Sequence, residues 1–302
     1  MSRRVHVLVP ATSANLGPGF DSFGLALELH DAVDVSADFG ARPPEPPRVE
    51  VTGIGAHDVP RDESHLVVRA LRAAFDRLGR KPAAVSLRCH NRLPHGRGLG
   101  SSAAAIVAGV LAARALSGES ADLAADLALA AELEGHPDNV APCLLGGFTI
   151  AWTDAEQVAR ATSLPVHPEI RPVVCIPATP VSTDAARALL PEQVPHGDAA
   201  FNAARAALLV EGMTRRPELL FEATEDRLHQ PYRDSAMPDT MALVRELRAH
   251  GLPAVVSGAG PAVLILAHPS QVGDVSAPAR GWDVRALEVQ TRGAVVETVA
   301  QT

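Results

Sequence analysis

Between Leu93 and Leu116 the chain reads LPHGRGLGSSAAAIVAGVLAARAL, three glycines and two serines set against a long apolar run. Gly96, Gly98 and Gly100, at alternate positions, suit a backbone that turns tightly and leaves its N–H groups open. Ser101 and Ser102 are placed to cap a helix opening at Ala103, and a helix N-terminus carries unpaired donors and partial positive charge. This is the chemistry of an anion cradle, above all for phosphate. The same residues would also serve a tight strand-to-helix turn that binds nothing. Two phosphate loops are excluded. A P-loop needs Gly-Lys-Ser/Thr, and Lys81, outside the stretch, is the only lysine in the chain. A dinucleotide fingerprint needs a glycine three residues after Gly98, where Ser101 stands.

Three further stretches hold reactive residue types. In LVPATSANLGPGFDSFGLAL, residues Asn15, Gly17, Pro18, Gly19 and Asp21 form a polar elbow between apolar segments. Turn chemistry alone accounts for such residues, while Asn15 and Asp21 could also face a polar or cationic ligand. In AELEGHPDNVAPCLLGG, Glu132 and Glu134 close a helix, and His136, Asp138 and Asn139 follow within five residues. The spacing does not match a zinc motif such as His-Glu-x-x-His. It is compatible with a solvated loop, or with carboxylates that hold Mg²⁺ beside a phosphate. In VVSGAGPAVLIL, a glycine turn joins two strands, as a plain β-turn or as a point of close backbone approach.

These stretches need elements to position them. Apolar alternation predicts strands over RRVHVLVPAT, DAVDVSAD, VEVTG, AAVSLRCHNRLP and GGFTIAW. Helical spacing marks His65 to Leu78, the run from Ala103, and Ser120 to Glu134. A polar turn at Thr153 to Gln157 suggests a boundary, dividing the chain into residues 1–155 and 156–302. Beyond it lie the strand RPVVCIPA and the short helix STDAARALLP, capped by Ser182 or Thr183. Two longer helices, DAAFNAARAALLVEGM and PDTMALVRELRAHG, precede the strands PAVVSGAG and AVLILA. The mixture predicts an α+β fold.

With 302 residues, 47% hydrophobic and 3% aromatic, the chain can build a large core of Ala, Val and Leu. A net charge of −8 argues against a nucleic-acid or anionic-membrane partner. The apolar run from Ala103 meets Arg114 too soon to span a bilayer. Cys89, Cys143 and Cys175 lack metal spacing and fit a reducing cytoplasm.

The motifs together carry a resemblance. Pro94, His95, Gly96, Arg97, Gly98, Leu99, Gly100, Ser101, Ser102, Ala103 and Ala104 match, at every fixed position, the nucleotide-binding motif of the GHMP kinase superfamily, P-x-x-x-G-L-G-S-S-A-A. VSGAGP, with Gly260, resembles the superfamily's C-terminal glycine motif, while PATSANLGPGFDSFGLAL and EGHPDNVAP resemble the homoserine-phosphorylating branch. The likeness runs in order from about Val7 to Leu266.

It implies two domains, the first like domain 2 of ribosomal protein S5 and the second ferredoxin-like. It implies ATP-dependent phosphorylation of the L-homoserine hydroxyl in the cytoplasm by a homodimer. Mg²⁺ would be held by Ser101 or Ser102 and by Glu134, with Glu132 as rival; the segment from His136 to Asn139 sits closer to the glutamates than in some relatives, which have a few extra residues there. Asp21 with Asn15 would face the substrate ammonium, and Arg187 and Arg233 its carboxylate, with Thr183 and Gly260 nearby. His136 and Asn139 would lie at the reacting hydroxyl. Many relatives carry an aspartate base where this chain has Asn139, so the resemblance points here to direct attack by a positioned hydroxyl. A kinase for mevalonate or a sugar, and a non-catalytic sensor on the same fold, are the alternatives. Neither of those alcohols has an ammonium for Asp21, and a sensor needs no intact phosphate loop.

Overall fold

The computed structural model describes residues 2–41, 43–180, 183–276 and 278–299. Its first half runs β1 (Ser2–Ala14), β2 (Phe23–Asp38), β3 (Arg48–Gly53), α1 (Leu66–Arg77), β4 (Ala84–Asn91), α2 (Ser101–Ser117), α3 (Leu123–Glu134), α4 (Pro137–Leu145) and β5 (Phe148–Thr153). The second half runs β6 (Ala159–Leu164), β7 (Arg171–Ile176), α5 (Thr183–Arg187), α6 (His196–Thr214), α7 (Leu220–Ala223), α8 (Pro238–Ala249), β8 (Ala254–Val256), β9 (Val263–Ala267), β10 (Asp283–Ala286) and β11 (Val295–Val299).

Two sheets organise these elements. The first has the order β11-β1-β2-β4-β3, with β5 pairing to β2 and β6 to β5; the second has the order β10-β7-β9-β8. All pairs are antiparallel except β3 with β4. β6 and β11 lie beyond the 155/156 division expected from sequence, yet both join the first sheet. The chain therefore crosses between the sheets more than once.

The apolar pattern explains the layering. β7, β8 and β9 of the second sheet are built on apolar runs because both faces are covered, whereas the edge strand β10 reads DVRA and stays half-exposed. Val174, Val255, Leu264 and Leu266 enter the large core shared with α1 and α2. Val173, Cys175, Val256, Val263 and Ile265 enter a smaller core against Met241 and Leu247 of α8. A solid run of this kind is the signature of a strand buried on both sides.

Local chemistry then aims the site-bearing segments. The β1–β2 register shifts between Pro10 and Ala11, letting the end of β1 curve into the elbow at Asn15. Asp31, on the same part of β2, accepts from the N–H groups of Arg92 and Leu93, anchoring the approach to the glycine loop. Burial drives the Asp31 pKa up despite those bonds.

Several boundaries differ from the sequence expectation. α2 begins at Ser101, and its N-cap is Gly100 in the left-handed region, with no side-chain cap. The serines therefore lie inside the first turn. β2 begins at Phe23, because its first residues pair with β5 before the remainder pairs with β4. Pro137 opens a helix at its first turn, where a missing N–H costs nothing, and turns the expected polar loop into α4. Ser182 lies outside the described residues, as does the side chain of Thr183, whose backbone opens α5.

Candidate active site

Gly96, Gly98 and Gly100 have φ of 64°, 72° and 67°, so the loop takes left-handed backbone three times in five residues. It delivers the open N-terminus of α2 to a cleft. The cleft is lined by residues 96–102, Asn15, Glu134, His136, Asn139, Arg187, Arg233 and the turn at Gly258 and Ala259. A larger hollow of about 550 Å³ lies between the end of β7, α8 and Trp282, against about 120 Å³ here. The smaller one gathers the glycine loop, a carboxylate, a histidine and two arginines, and chemistry outranks size.

The two glutamates part company. Ser102 Oγ donates to Glu134 Oε2 at 2.7 Å, on the cleft wall. Glu132 pairs with Arg77 of α1 at 2.8 Å on the exposed surface. Burial raises the Glu134 pKa, while the serine bond and His136 oppose the rise. Among the described residues no group of three or more His, Cys, Asp or Glu could hold a metal alone. One carboxylate and one hydroxyl fit Mg²⁺, which takes hard oxygen donors, keeps waters and shares substrate phosphates.

At the head of α4, His136 Nδ1 lies 2.6 Å from Asp138 Oδ1. That bond lifts the His136 pKa against the opposing effect of burial. Asp138 Oδ2 is buried without a partner among the described residues. Beside it, Thr12 Oγ1 of β1 donates to Asn139 Oδ1 at 2.8 Å. With its oxygen thus engaged, Asn139, which lines the cleft, keeps its NH₂ as a donor.

On the opposite wall, Asn15 (φ 65°) accepts from the Asp21 N–H at 2.8 Å and closes the elbow. Asp21 and Arg187 form a two-pronged ion pair at 2.7 and 2.8 Å. The sequence reading set them at opposite ends of a ligand; in this structure they neutralise each other. Arg233 is 1% exposed, with Nε near the Ala186 carbonyl and Nη1 near His229 Nδ1. Both guanidinium groups lie over the Phe20 ring, at 5.4 and 5.5 Å.

Not every expected residue reaches the cleft. Gly258 and Ala259 line it, whereas Gly260 does not. Gly260 instead turns the chain at φ 87°, against Met237. Pro94, His95, Ala103 and Ala104 frame the loop from behind, the two alanines fully buried in α2. Ser257 was not singled out from sequence: its Oγ lies 2.7 Å from Ser13 Oγ and donates to the Gly98 carbonyl at 2.6 Å, clamping the two halves together. Thr12, Phe20 and His229 carry no flag in the sequence reading, while Asp138 is flagged there only as one of the carboxylates near His136. Phe20 stands next to the flagged Asp21, which is a local signal; Thr12 carries none, its partner being distant in sequence.

Residues 65–147 match the GHMP kinases N terminal domain and residues 204–280 the GHMP kinases C terminal domain. A homoserine kinase of Streptomyces avermitilis is 55% identical, over 98% of this chain and 96% of that one. One of Streptomyces coelicolor is 56% identical, over 98% and 95%. The crystal structure of homoserine kinase from Cytophaga hutchinsonii superposes with a TM-score of 0.85 at 27% identity, covering 97% of each chain. Mevalonate diphosphate decarboxylase from Staphylococcus aureus shares the fold alone, with a TM-score of 0.70 at 14% identity over 98% of each chain. With two family models matched and relatives of 55% and 56% identity over nearly its whole length, this chain belongs to the homoserine kinase family of GHMP kinases.

Proposed function

We propose that the protein transfers the γ-phosphoryl group of ATP to the side-chain hydroxyl of L-homoserine. The observation that carries this reading is the pairing of walls in one cleft. One wall is an anion cradle, and the other presents Arg233 and Arg187, the latter paired with Asp21 behind it. A zwitterionic alcohol answers all of these groups: its ammonium suits a carboxylate and its carboxylate suits guanidinium groups. On binding, it would exchange partners with the Asp21–Arg187 pair. Mevalonate or a neutral sugar has no ammonium for Asp21.

The triphosphate would lie on the loop N–H groups and the α2 N-terminus. Mg²⁺ held by Glu134 with Ser102 or Ser101 would neutralise phosphate charge there. Asn139, its oxygen held by Thr12, donates toward the reacting oxygens and cannot serve as a base. His136, biased toward imidazolium by Asp138, stabilises phosphoryl charge. The hydroxyl oxygen attacks the γ-phosphorus, the bond to the ADP oxygen breaks, and the hydroxyl proton passes to the transferred group. Positioning and charge stabilisation supply the rate.

The three free cysteines are all buried, which supports a reducing compartment such as the cytoplasm. No helix among the described residues is long and apolar enough to cross a membrane. A homodimer follows from the family likeness, and sedimentation would test it. The test of function is ADP release with Mg²⁺ across homoserine, mevalonate, galactose and the amino alcohol that lacks the homoserine carboxylate. Homoserine should lead by a wide margin. Preference for mevalonate or galactose would sink this substrate, and silence with every alcohol would favour a sensor.

A further inference from the structure

Behind the two arginines lies a buried layer that the reaction above does not use. The His229 side chain is 0% exposed, and so is that of Asp226. His229 Nε2 lies 2.7 Å from the Gly17 carbonyl oxygen, and Nδ1 lies 3.0 Å from Arg233 Nη1. A carbonyl oxygen only accepts and a guanidinium only donates. The imidazole is therefore neutral, with its single proton on Nε2 and the lone pair of Nδ1 turned to Arg233. Burial lowers the His229 pKa, and the Arg233 charge lowers it further, against Asp226 and Asp21.

The ring cannot drift. It stacks on Phe20 at 5.2 Å and 28°. Asp226 accepts from the N–H groups of Leu228, His229 and Gln230, and Asn202 of α6 donates to the same carboxylate at 3.1 Å. Arg233, for its part, has no carboxylate within ion-pair distance among the described residues. A buried guanidinium held only by neutral acceptors keeps its charge available for a ligand.

We propose that His229 is a positioning residue that selects the substrate carboxylate through Arg233. Its Nδ1 aims the guanidinium without neutralising it, and its Nε2–H locks that guanidinium in register with the elbow carrying Asp21. An acidic residue in its place would orient Arg233 equally well and cancel the charge that the substrate needs. The inference rests on Arg233 being a partner of the homoserine carboxylate.

Three substitutions separate the parts. His229→Asn keeps an acceptor near the Nδ1 position. His229→Gln places its amide near Nε2 and removes that acceptor. His229→Asp supplies an acceptor that carries the opposing charge. Steady-state kinetics should show the homoserine KM raised about tenfold or more in His229→Gln and His229→Asp, as for a lost or cancelled charge contact. His229→Asn keeps that acceptor and gives up only the Nε2–H bond to Gly17, so its homoserine KM should rise less than in either, by about threefold. The ATP KM, and turnover of the amino alcohol without a carboxylate, should be unchanged in all three. A structural role would instead lower both substrates together or move the ATP KM, and either result overturns the proposal. So would His229→Asp or His229→Gln matching His229→Asn on homoserine. If His229→Asp does not fold, the contrast between Gln and Asn decides. Arg233→Ala is the control: an unchanged homoserine KM there removes the underlying reading of Arg233, whereas a raised one with unaltered His229 variants removes this inference alone.

Discussion

Glu132 and Glu134 are the same residue type two positions apart on α3, and their opposite fates show what one residue owes to its neighbours. Positions i and i+2 of a helix do not share a face, so only one could look into the cleft. Sequence could not choose, because the choice rests on Arg77, held by α1, and on Ser102, held by α2. Glu134→Gln should lower kcat by about 10²–10³ and raise the Mg²⁺ needed for half-maximal rate. Glu132→Gln should stay near wild type, since an exposed ion pair is worth about 0–1 kcal/mol. A dead Glu132→Gln enzyme beside an active Glu134→Gln one would reverse the assignment. The Asp21–Arg187 pair is legible as two charged residues but not as a pair, 166 positions apart. It is about 40% exposed at Arg187, so its loss should not unfold the protein. Arg187→Ala should reduce kcat/KM for homoserine by about 10–10²-fold, leave the ATP KM nearly alone, and leave turnover of the carboxylate-free amino alcohol no worse. Equal losses on both alcohols would show that Arg187 does not read the carboxylate.

At the scale of elements, α2 and its glycine loop were readable because glycine spacing and an apolar run are local signals. Their crowding was not. A Cβ at Gly98 would overlap the Ser257 carbonyl oxygen, and one at Gly100 would overlap the Thr12 hydroxyl. These glycines make room for protein as much as for phosphate. Gly100→Val should therefore lower Tm as well as ATP affinity, and unchanged ATP affinity in the folded fraction would remove the loop from the phosphate site. α4 escaped the sequence reading because it has only nine residues and carries Pro142 inside, which breaks the usual helical signal. Its placement matters through one hydroxyl from β1. Thr12→Val keeps the shape but removes the donor to Asn139 Oδ1, freeing the amide to flip. A lost hydrogen bond of about 0.5–1.5 kcal/mol predicts a fall in kcat of about 3–10-fold with the ATP KM unchanged. If kcat does not fall, the orientation of Asn139 is not set from β1.

Across the whole molecule, the sequence conveyed composition, the α+β class and the order of motifs. It concealed how often the chain crosses between its two sheets, because β6 and β11 carry no local mark of their partners. The fold buries ionisable groups as well, and pH should reveal them. His229 and His65 are buried, and burial is the leading cause lowering both pKa values. In the unfolded chain each takes up a proton near pH 6.5, while in the folded protein each stays neutral to lower pH. Just below 6.5 the unfolded state thus binds more protons, so stability rises with pH there and falls on acidification, by at most about 1.4 kcal/mol per pH unit for each histidine. His136 acts in the opposite sense above 6.5: its raised pKa contributes stability that is complete below that pH and is lost as pH rises through the folded value. Asp31, Asp126 and Glu134 have raised pKa values too, and their stability, present at low pH and lost as pH rises, belongs to a more acidic range. Urea denaturation at intervals from about pH 7.0 down to 5.5 should therefore show stability declining as the pH drops below about 6.5. In His229→Gln the decline should be shallower by one proton, whatever the absolute stability of that variant. A slope identical to wild type would mean that His229 is not held neutral in the folded protein.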